Sequence, residues 1–326
     1  MKSKYLLIAT AATLLAACSN DENEVNNGPV EARITAGIDG PKTRAVDDSW
    51  SGGNTIGVMV TNAPTSTMAT LYKNVEYTVE SGGPTGIFKA TSGGIFFQNA
   101  SENVTFAAYS PYQLSADAAT LPGTDGTVTG GDTKDQSTVA KQEAFDYLFA
   151  TGATASRGSA TVEFKKADVD HDYQFKHKMS RLILVLNTSA TDGFTTDQVF
   201  SATYTLGGLK HEGTFKVTDG TAAVSPSASA VSDWTITNNA KKDDTTGKTR
   251  TYTMILYPQS LSSPLTFSAT IDGQTYVNKS DIQPALAAGT SYTYTITMKK
   301  TGLSVSGCTI EGWTNDTSGS GNAEME

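Results

Sequence analysis

Few residues in this 326-residue chain are of types that do chemistry, and their spacing narrows what chemistry that could be. The three histidines are His171, His177 and His211. His171 and His177 would share one face of a regular strand, with Asp170 and Asp172 beside the first, a donor set that could hold a divalent metal. The competing reading is of polar residues at a strand edge. Cys308 has no neighbouring base to draw off its proton, so it reads as a small buried apolar residue rather than a nucleophile. Asp132 and Asp135 offer oxygens of the kind calcium takes, but without the spacing of a calcium loop, and read as solvated turns. Trp50, Trp234 and Trp313 could stack against sugars or plug cores at strand ends. No G-x-S-x-G, H-E-x-x-H or phosphate-cradling glycine loop occurs. The expectation is a chain with no catalytic residues, no metal and no cofactor.

The elements that would position these residues are nearly all strands. Val30, Ala32, Ile34, Ala36 and Ile38 alternate with Glu31, Arg33, Thr35 and Gly37, the period of a half-buried strand. Further strands are expected at 55–62, 75–80, 86–90, 104–112, 147–150 and 160–164, separated by loops such as "LPGTDGTVTGGDTKD". Beyond them, 173–189 carries the apolar centre "LILVL", expected to be covered on both faces. The stretch 199–220 reads as a hairpin around Gly207-Gly208, and 265–280 as a hairpin at Asp272-Gly273. In 291–300, Tyr292, Tyr294, Ile296 and Met298 face one way and threonines the other. No amphipathic helix stands out, although 281–289 could hold one turn. Short strands between turn signals predict an all-β sandwich architecture, with a boundary between two domains near 168–171.

The first residues carry an address. Lys2 and Lys4 precede an apolar stretch, Tyr5 to Leu15, of about ten residues, the length of a signal-peptide core and too short to span a bilayer. It ends in "LAAC", which resembles a bacterial lipobox, with Cys18 as the lipidated residue; an ordinary signal peptide is the alternative. The acidic "SNDENE" after it reads as a solvated tether. It is similar to the surface-export signal of Bacteroidetes lipoproteins, or else is a tether facing the periplasm. With Cys18 lipidated, Cys308 has no partner and no intrachain disulfide is available. The net charge of −9 becomes −11 once Lys2 and Lys4 leave with the signal, which argues against a nucleic-acid partner. "NVT" at 103–105, "NTS" at 187–189 and "DTT" at 244–246, with Thr245, match glycosylation acceptors.

Seven segments in order resemble the fimbrillin family, the FimA/Mfa-like pilins of Bacteroidetes type V fimbriae. After Cys18 they are "KTRAVDDSWSGGNTIGVMV", "FAAYSPY", "DYLFA", "FKHKMSRLILVLN", "ILYPQ" and "SYTYTITMKKTGLSVSGCTIEGWT". The resemblance implies two tandem transthyretin-like β-sandwich domains and a surface lipoprotein. It divides the chain into a signal peptide at 1–17, a lipidated tether and removable first strand at 18–44, and sandwiches at 45–169 and 170–326. It further implies cleavage between Arg44 and Ala45, loss of the strand bearing Val30, Ala32, Ile34, Ala36 and Ile38, and filling of the groove by another subunit. The donor candidate is 302–313, with Leu303, Val305 and Ile310 as anchors. Implied partners are other fimbrial subunits, the outer membrane through the lipid, and glycans or proteins of host or bacterial surfaces. The tail "NDTSGSGNAEME" is polar and lacks alternation, so it cannot itself be a donor. A pilin is the leading reading; an uncleaved tip adhesin or glycan-binding surface lipoprotein is the alternative.

Overall fold

A computed structural model describes residues 28–39, 49–237 and 249–313, together with the backbone of Lys241–Lys242, Thr249 and Gly321–Asn322. Strands make up 49% and helices 6% of the described residues, so the fold is all-β. Among the described residues, no helix is long and apolar enough to cross a membrane.

The first half builds one eight-stranded sheet. Across it run Thr161–Phe164, Arg33–Gly37, Thr85–Ala90, Val75–Ser81, Thr55–Asn62, Val104–Ser110, Leu148–Ala155 and Lys176–His177. Every pairing is antiparallel except that of Arg33–Gly37 with Thr161–Phe164, which is parallel. The sheet curls on itself: its edge strand Thr161–Phe164 is packed against Leu148–Ala155, and Ile38 makes a parallel bridge to Phe175. The core inside it draws on residues from Ala32 to Phe175.

The second half builds a sandwich. Its larger sheet runs Lys241–Lys242, Thr249–Leu256, Ser180–Thr188, Thr290–Lys299, Gly302–Gly312, Gly321–Asn322. Its smaller sheet runs Trp234–Thr235, Thr203–Gly207, Thr266–Ile271, Gln274–Asn278. The alternation of 291–300 appears as buried Tyr292, Tyr294, Ile296 and Met298, which pack with Leu182, Leu184 and Leu186 against Tyr204, Leu206 and Phe267 of the other sheet.

A third core lies between the halves and joins Met59, Tyr109, Tyr147 and Phe149 to Phe215, Ile255, Tyr257 and Trp313. Residues 121–147, of which 121–135 are expected to be loop, hold this junction together as a strap. Thr127–Thr129 adds to Gly213–Lys216 as the edge of a three-stranded sheet. Gln136 both donates to Ile255 O (2.7 Å) and accepts from Ile255 N (2.9 Å), and Gln142 donates to Thr253 O (2.7 Å). Gly130 is needed where it stands, because a Cβ there would lie 1.9 Å from the Tyr257 hydroxyl oxygen.

Four further expectations change. Residues 199–220 do not pair across Gly207-Gly208. Thr203–Gly207 joins the smaller sheet while Gly213–Lys216 turns back with Thr221–Val224, placing Leu206 and Phe215 in different cores. "LILVL" is central in its sheet, yet Ile183 and Val185 are only half-buried, so among the described residues one face of the strand is partly open. Residues 281–289 form no helix, while short helices occur at Met68–Leu71, Val139–Phe145 and Thr196–Ser201. The last of these opens on a capping box between Thr195 and Gln198.

Candidate functional site

The opening strand, Arg33–Gly37, lies inside its sheet rather than at the edge. On one side Ile34 pairs with Phe88, and on the other with Val162. Ala32, Ile34, Ala36 and Ile38 point into the core with 2%, 0%, 1% and 7% exposure. Val30 is half-buried and pairs with Phe97 in a separate two-residue ribbon. A strand of this kind follows from sequence, since alternating aliphatics leave one face to be buried and every backbone group to be bonded. The inward residues alternate small and large, Ala-Ile-Ala-Ile, and so define a trough with two deep positions and two shallow ones.

Trp50 clamps this strand from 14 residues beyond Ala36. Its indole N–H donates to Ala36 O (2.8 Å), its backbone exchanges hydrogen bonds with Gly83 (3.0 and 2.9 Å), and its ring meets Phe88 and Phe175 edge-on at 5.0 and 5.1 Å. Gly86, opposite Ala36, makes room for it: a Cβ at Gly86 would lie 2.7 Å from Trp50 Cδ1. At the other end, Ala32 N donates to Ile95 O and Ile95 N to the Tyr77 hydroxyl, whose titration burial pushes up. On the outer face, Glu31, Arg33, Thr35, Glu80, Ile87 and Lys89 line a depression of about 380 Å³.

The closing strand, Gly302–Gly312, lies against Thr290–Lys299 in its own sheet. Its alternation is broken at Gly307 by a bulge, where Ser306 opposes Thr295 and Cys308 opposes Tyr294. The bulge returns Cys308 and Ile310 to the face that Leu303 and Val305 occupy. Leu303 and Val305 are half-buried against the second core, while Ile310 is 37% exposed. Beside Cys308 and Ile310, Pro284, Ala285, Tyr292 and Tyr294 border a largely apolar depression of about 200 Å³. The strand ends on Trp313, which is fully buried between the halves, stacked on His177 (4.0 Å, 6°) and covered by Arg181 (4.7 Å).

Three residues named from the sequence, Cys18, Arg44 and Ala45, lie outside the described residues, as does Thr245. The histidines do not converge. His171 meets Asp168 at the surface (2.8 Å), His177 meets Asp146 inside the junction (2.8 Å), and His211 meets Thr133 Oγ1 (3.0 Å). Among the described residues, no group of three or more His, Cys, Asp or Glu is placed to hold a metal ion. Asp132 and Asp135 pair with Lys134 and Lys141. The Cys308 thiol is pushed up by burial, the reverse of what a nucleophile needs. The three tryptophans are core plugs, one in each core, and form no sugar platform. Sequence reading missed the Trp50 clamp, the strap and the Asp146–His177–Trp313 contact, because each joins residues distant along the chain with no shared periodicity.

The candidate site is thus an interior strand seated in a shaped apolar trough of an all-β chain. The fimbrillin-like family model matches residues 43–313. The chain is 30% identical, over 99% of its length and all of the relative's, to "Putative fimbrium subunit Fim1C" of Bacteroides uniformis. It therefore belongs to the fimbrillin-like family, whose members are structural or adhesion proteins rather than enzymes. A solved structure described as a "putative cell adhesion protein" from Bacteroides ovatus superposes with a TM-score of 0.71 at 26% identity, covering 89% of this chain and 99% of that one. Another of the same description, from Bacteroides uniformis, shares the fold with a TM-score of 0.64 at 22% identity, covering 89% and 99%.

Proposed function

We propose that this chain is a structural subunit of a cell-surface fimbria, exported as a lipoprotein through Cys18 and joined to its neighbours by strand exchange. Cleavage between Arg44 and Ala45 releases residues 30–38, and a strand of another subunit takes their place. One observation carries the reading: the opening strand is an interior strand whose two neighbours, Thr85–Ala90 and Thr161–Phe164, are not bonded to each other. Losing it would open two unpaired edges and the trough beneath Ala32, Ile34, Ala36 and Ile38, a surface that another strand is driven to cover. Reburying two isoleucines contributes roughly 1.5–3 kcal/mol each, with the alanines and the backbone ladder adding to that. Each joint uses a groove on one subunit and a strand on the next, a head-to-tail contact that gives a filament where it does not close on itself. The family match begins at residue 43, which leaves residues 30–38 outside it.

N-terminal sequencing of the protein recovered from assembled surface fibres tests this. Chains beginning at Ala45 are expected. Chains beginning at lipidated Cys18, together with a chain that stays monomeric after cutting at Arg44, would overturn it. The second reading, an uncleaved tip adhesin, draws on the description of the solved relative as a cell adhesion protein. It predicts an intact N-terminus and retained binding to surface glycans or proteins.

A further inference from the structure

The two strands share a pattern that is visible only when one of them is reversed. From Ala32 to Ile38 the opening strand reads Ala-Arg-Ile-Thr-Ala-Gly-Ile. From Gly312 back to Ser306 the closing strand reads Gly-Glu-Ile-Thr-Cys-Gly-Ser. We infer that, in the strand exchange proposed above and resting on it, residues 306–312 of a second copy of this chain fill the groove of the first, running opposite to the strand they replace.

Turning a strand end for end in the plane of its sheet leaves each side chain on the same face, since alternation does not depend on direction. Ile310 then takes the place of Ile34, Gly312 and Cys308 take the shallow positions of Ala32 and Ala36, and Gly307 falls on Gly37. Only Ser306, against Ile38, departs in size, and it lies at the end of the trough. Pairing becomes antiparallel to Thr161–Phe164 and parallel to Thr85–Ala90, and both ladders are competent.

The same direction of insertion does not fit. With Ile310 in the place of Ile34, it would put Trp313 on Gly37, where a lone Cβ already comes within 3.1 Å of Gln174 Nε2 and 3.4 Å of Pro84 O. Frames that instead use Leu303 and Val305 side by side place one of the two in a shallow site, that of Ala32 or Ala36.

Charge favours the reversal. Because Ile34 pairs with Phe88 and Thr35 with Ile87, one step further along the ladder sets Arg33 beside Lys89, and both line the outer depression. That is a like-charge cross-strand pair, with Glu31 and Glu80 on the rim. A reversed closing strand puts Glu311 beside Lys89 instead.

The proposed segment is also the exposed part of its own strand. Ser306, Gly307, Thr309, Ile310, Glu311 and Gly312 are exposed, and among the described residues the strand's outer edge is paired only at Thr309 and Ile310. The bulge at Gly307 separates it from the anchored Leu303 and Val305. Trp313 is the latch that has to lift.

The test uses the full chain with C18S and C308A, a specific protease site between Arg44 and Ala45, and mixtures of two single-cysteine variants. Fixing Ile310 at the Ile34 position, reversed insertion brings Glu311→Cys against Lys89→Cys, whereas same-direction insertion brings it against Ile87→Cys. After cleavage, 89–311 disulfide dimers are expected in several-fold excess over 87–311 dimers, with neither formed before cleavage. Equal or greater 87–311 yield overturns the inference. So does joining of chains with release of the fragment ending at Arg44 but neither disulfide, and in that case the strand-exchange reading stands. A fragment that stays bound to a chain that stays monomeric removes both. Independently, Glu311→Lys should slow joining roughly two- to fivefold, and Lys89→Glu should restore it; no change in rate, or no rescue, counts against the reversed register.

Discussion

The opening strand is paired along both edges, over residues 33–36 on one and 34–37 on the other, and keeps its inward side chains almost wholly out of water. The closing strand carries a similar aliphatic alternation, yet among the described residues it is paired along its length on one edge and at two residues on the other, and it leaves its inward Ile310 37% exposed. The composition of the two strands differs little; their neighbours differ a great deal. A strand buried between two partners is costly to remove and leaves a defined mould, whereas one lying at the margin of a sheet is available to leave. Asymmetry of this kind is what a one-way joint between identical chains requires, and it resides in the sheet order rather than in the strands.

The closing strand is held mainly at its end, and this gives the largest expected effect. Trp313→Ala should destabilise the chain by about 3–5 kcal/mol, while Ile310→Ala, three residues earlier, should cost less than about 1 kcal/mol. Urea unfolding of the two variants checks the contrast, and equal costs would mean that the strand is clamped along its length. Next in size, Ile34→Ala should cost about 2–5 kcal/mol because the site is fully enclosed, and Val305→Ala about 1 kcal/mol because its site is half open. If Val305→Ala proved as damaging as Ile34→Ala, the distinction between mould and occupant would fail.

How much of this was legible before the fold is clearest residue by residue. The period of Val30 to Ile38 announced a strand with one buried face, and Asp272-Gly273 announced a tight hairpin because both residues adopt positive φ, +50° and +81°. Gly207-Gly208 announced a turn but not its direction; Gly208 does take positive φ, yet it sends the chain away from its own strand. That choice is made by which core receives Phe215, information that no local pattern holds. The strap was illegible for another reason. It docks through backbone groups and the amides of Gln136 and Gln142, which leave no hydrophobic period. Alternation likewise marked 302–313 as a strand without revealing the bulge at Gly307 or the burial of Trp313.

Acid separates the half carrying the closing strand from the half carrying the opening one. His211 is buried where the strap meets the second half, with Nδ1 on Thr133, Nε2 unbonded, and Trp234 edge-on at 4.6 Å. Burial lowers its pKa to about 4, with Asp132 opposing and Lys134 reinforcing the shift. In the unfolded chain a histidine titrates near 6.5. Its neutral form therefore contributes fully above about pH 6.5, and that contribution is lost as pH falls towards 4, because the unfolded chain then binds the extra proton. The loss reaches about 3 kcal/mol. His211→Gln should flatten the stability profile between pH 6.5 and 4.5, and a profile as steep as that of the parent would place the sensitivity elsewhere.

The smallest effect bears most directly on how the mould keeps its occupant. Trp50→Phe retains a ring against Phe88 and Phe175 but deletes the N–H that holds Ala36 O. A buried carbonyl that loses one partner costs about 1–3 kcal/mol, and the lower end applies here because the backbone ladder around Ala36 remains. The loss should fall on the opening strand alone. Amide exchange should therefore quicken across Arg33–Gly37 and in its partners Thr85–Ala90 and Thr161–Phe164, while exchange in Thr290–Lys299 stays at the parent rate. Equal quickening in both halves would show that Trp50 supports the whole chain through the junction. Quickening confined to the opening strand would show that the clamp acts on a strand able to loosen by itself, the property a removable strand needs.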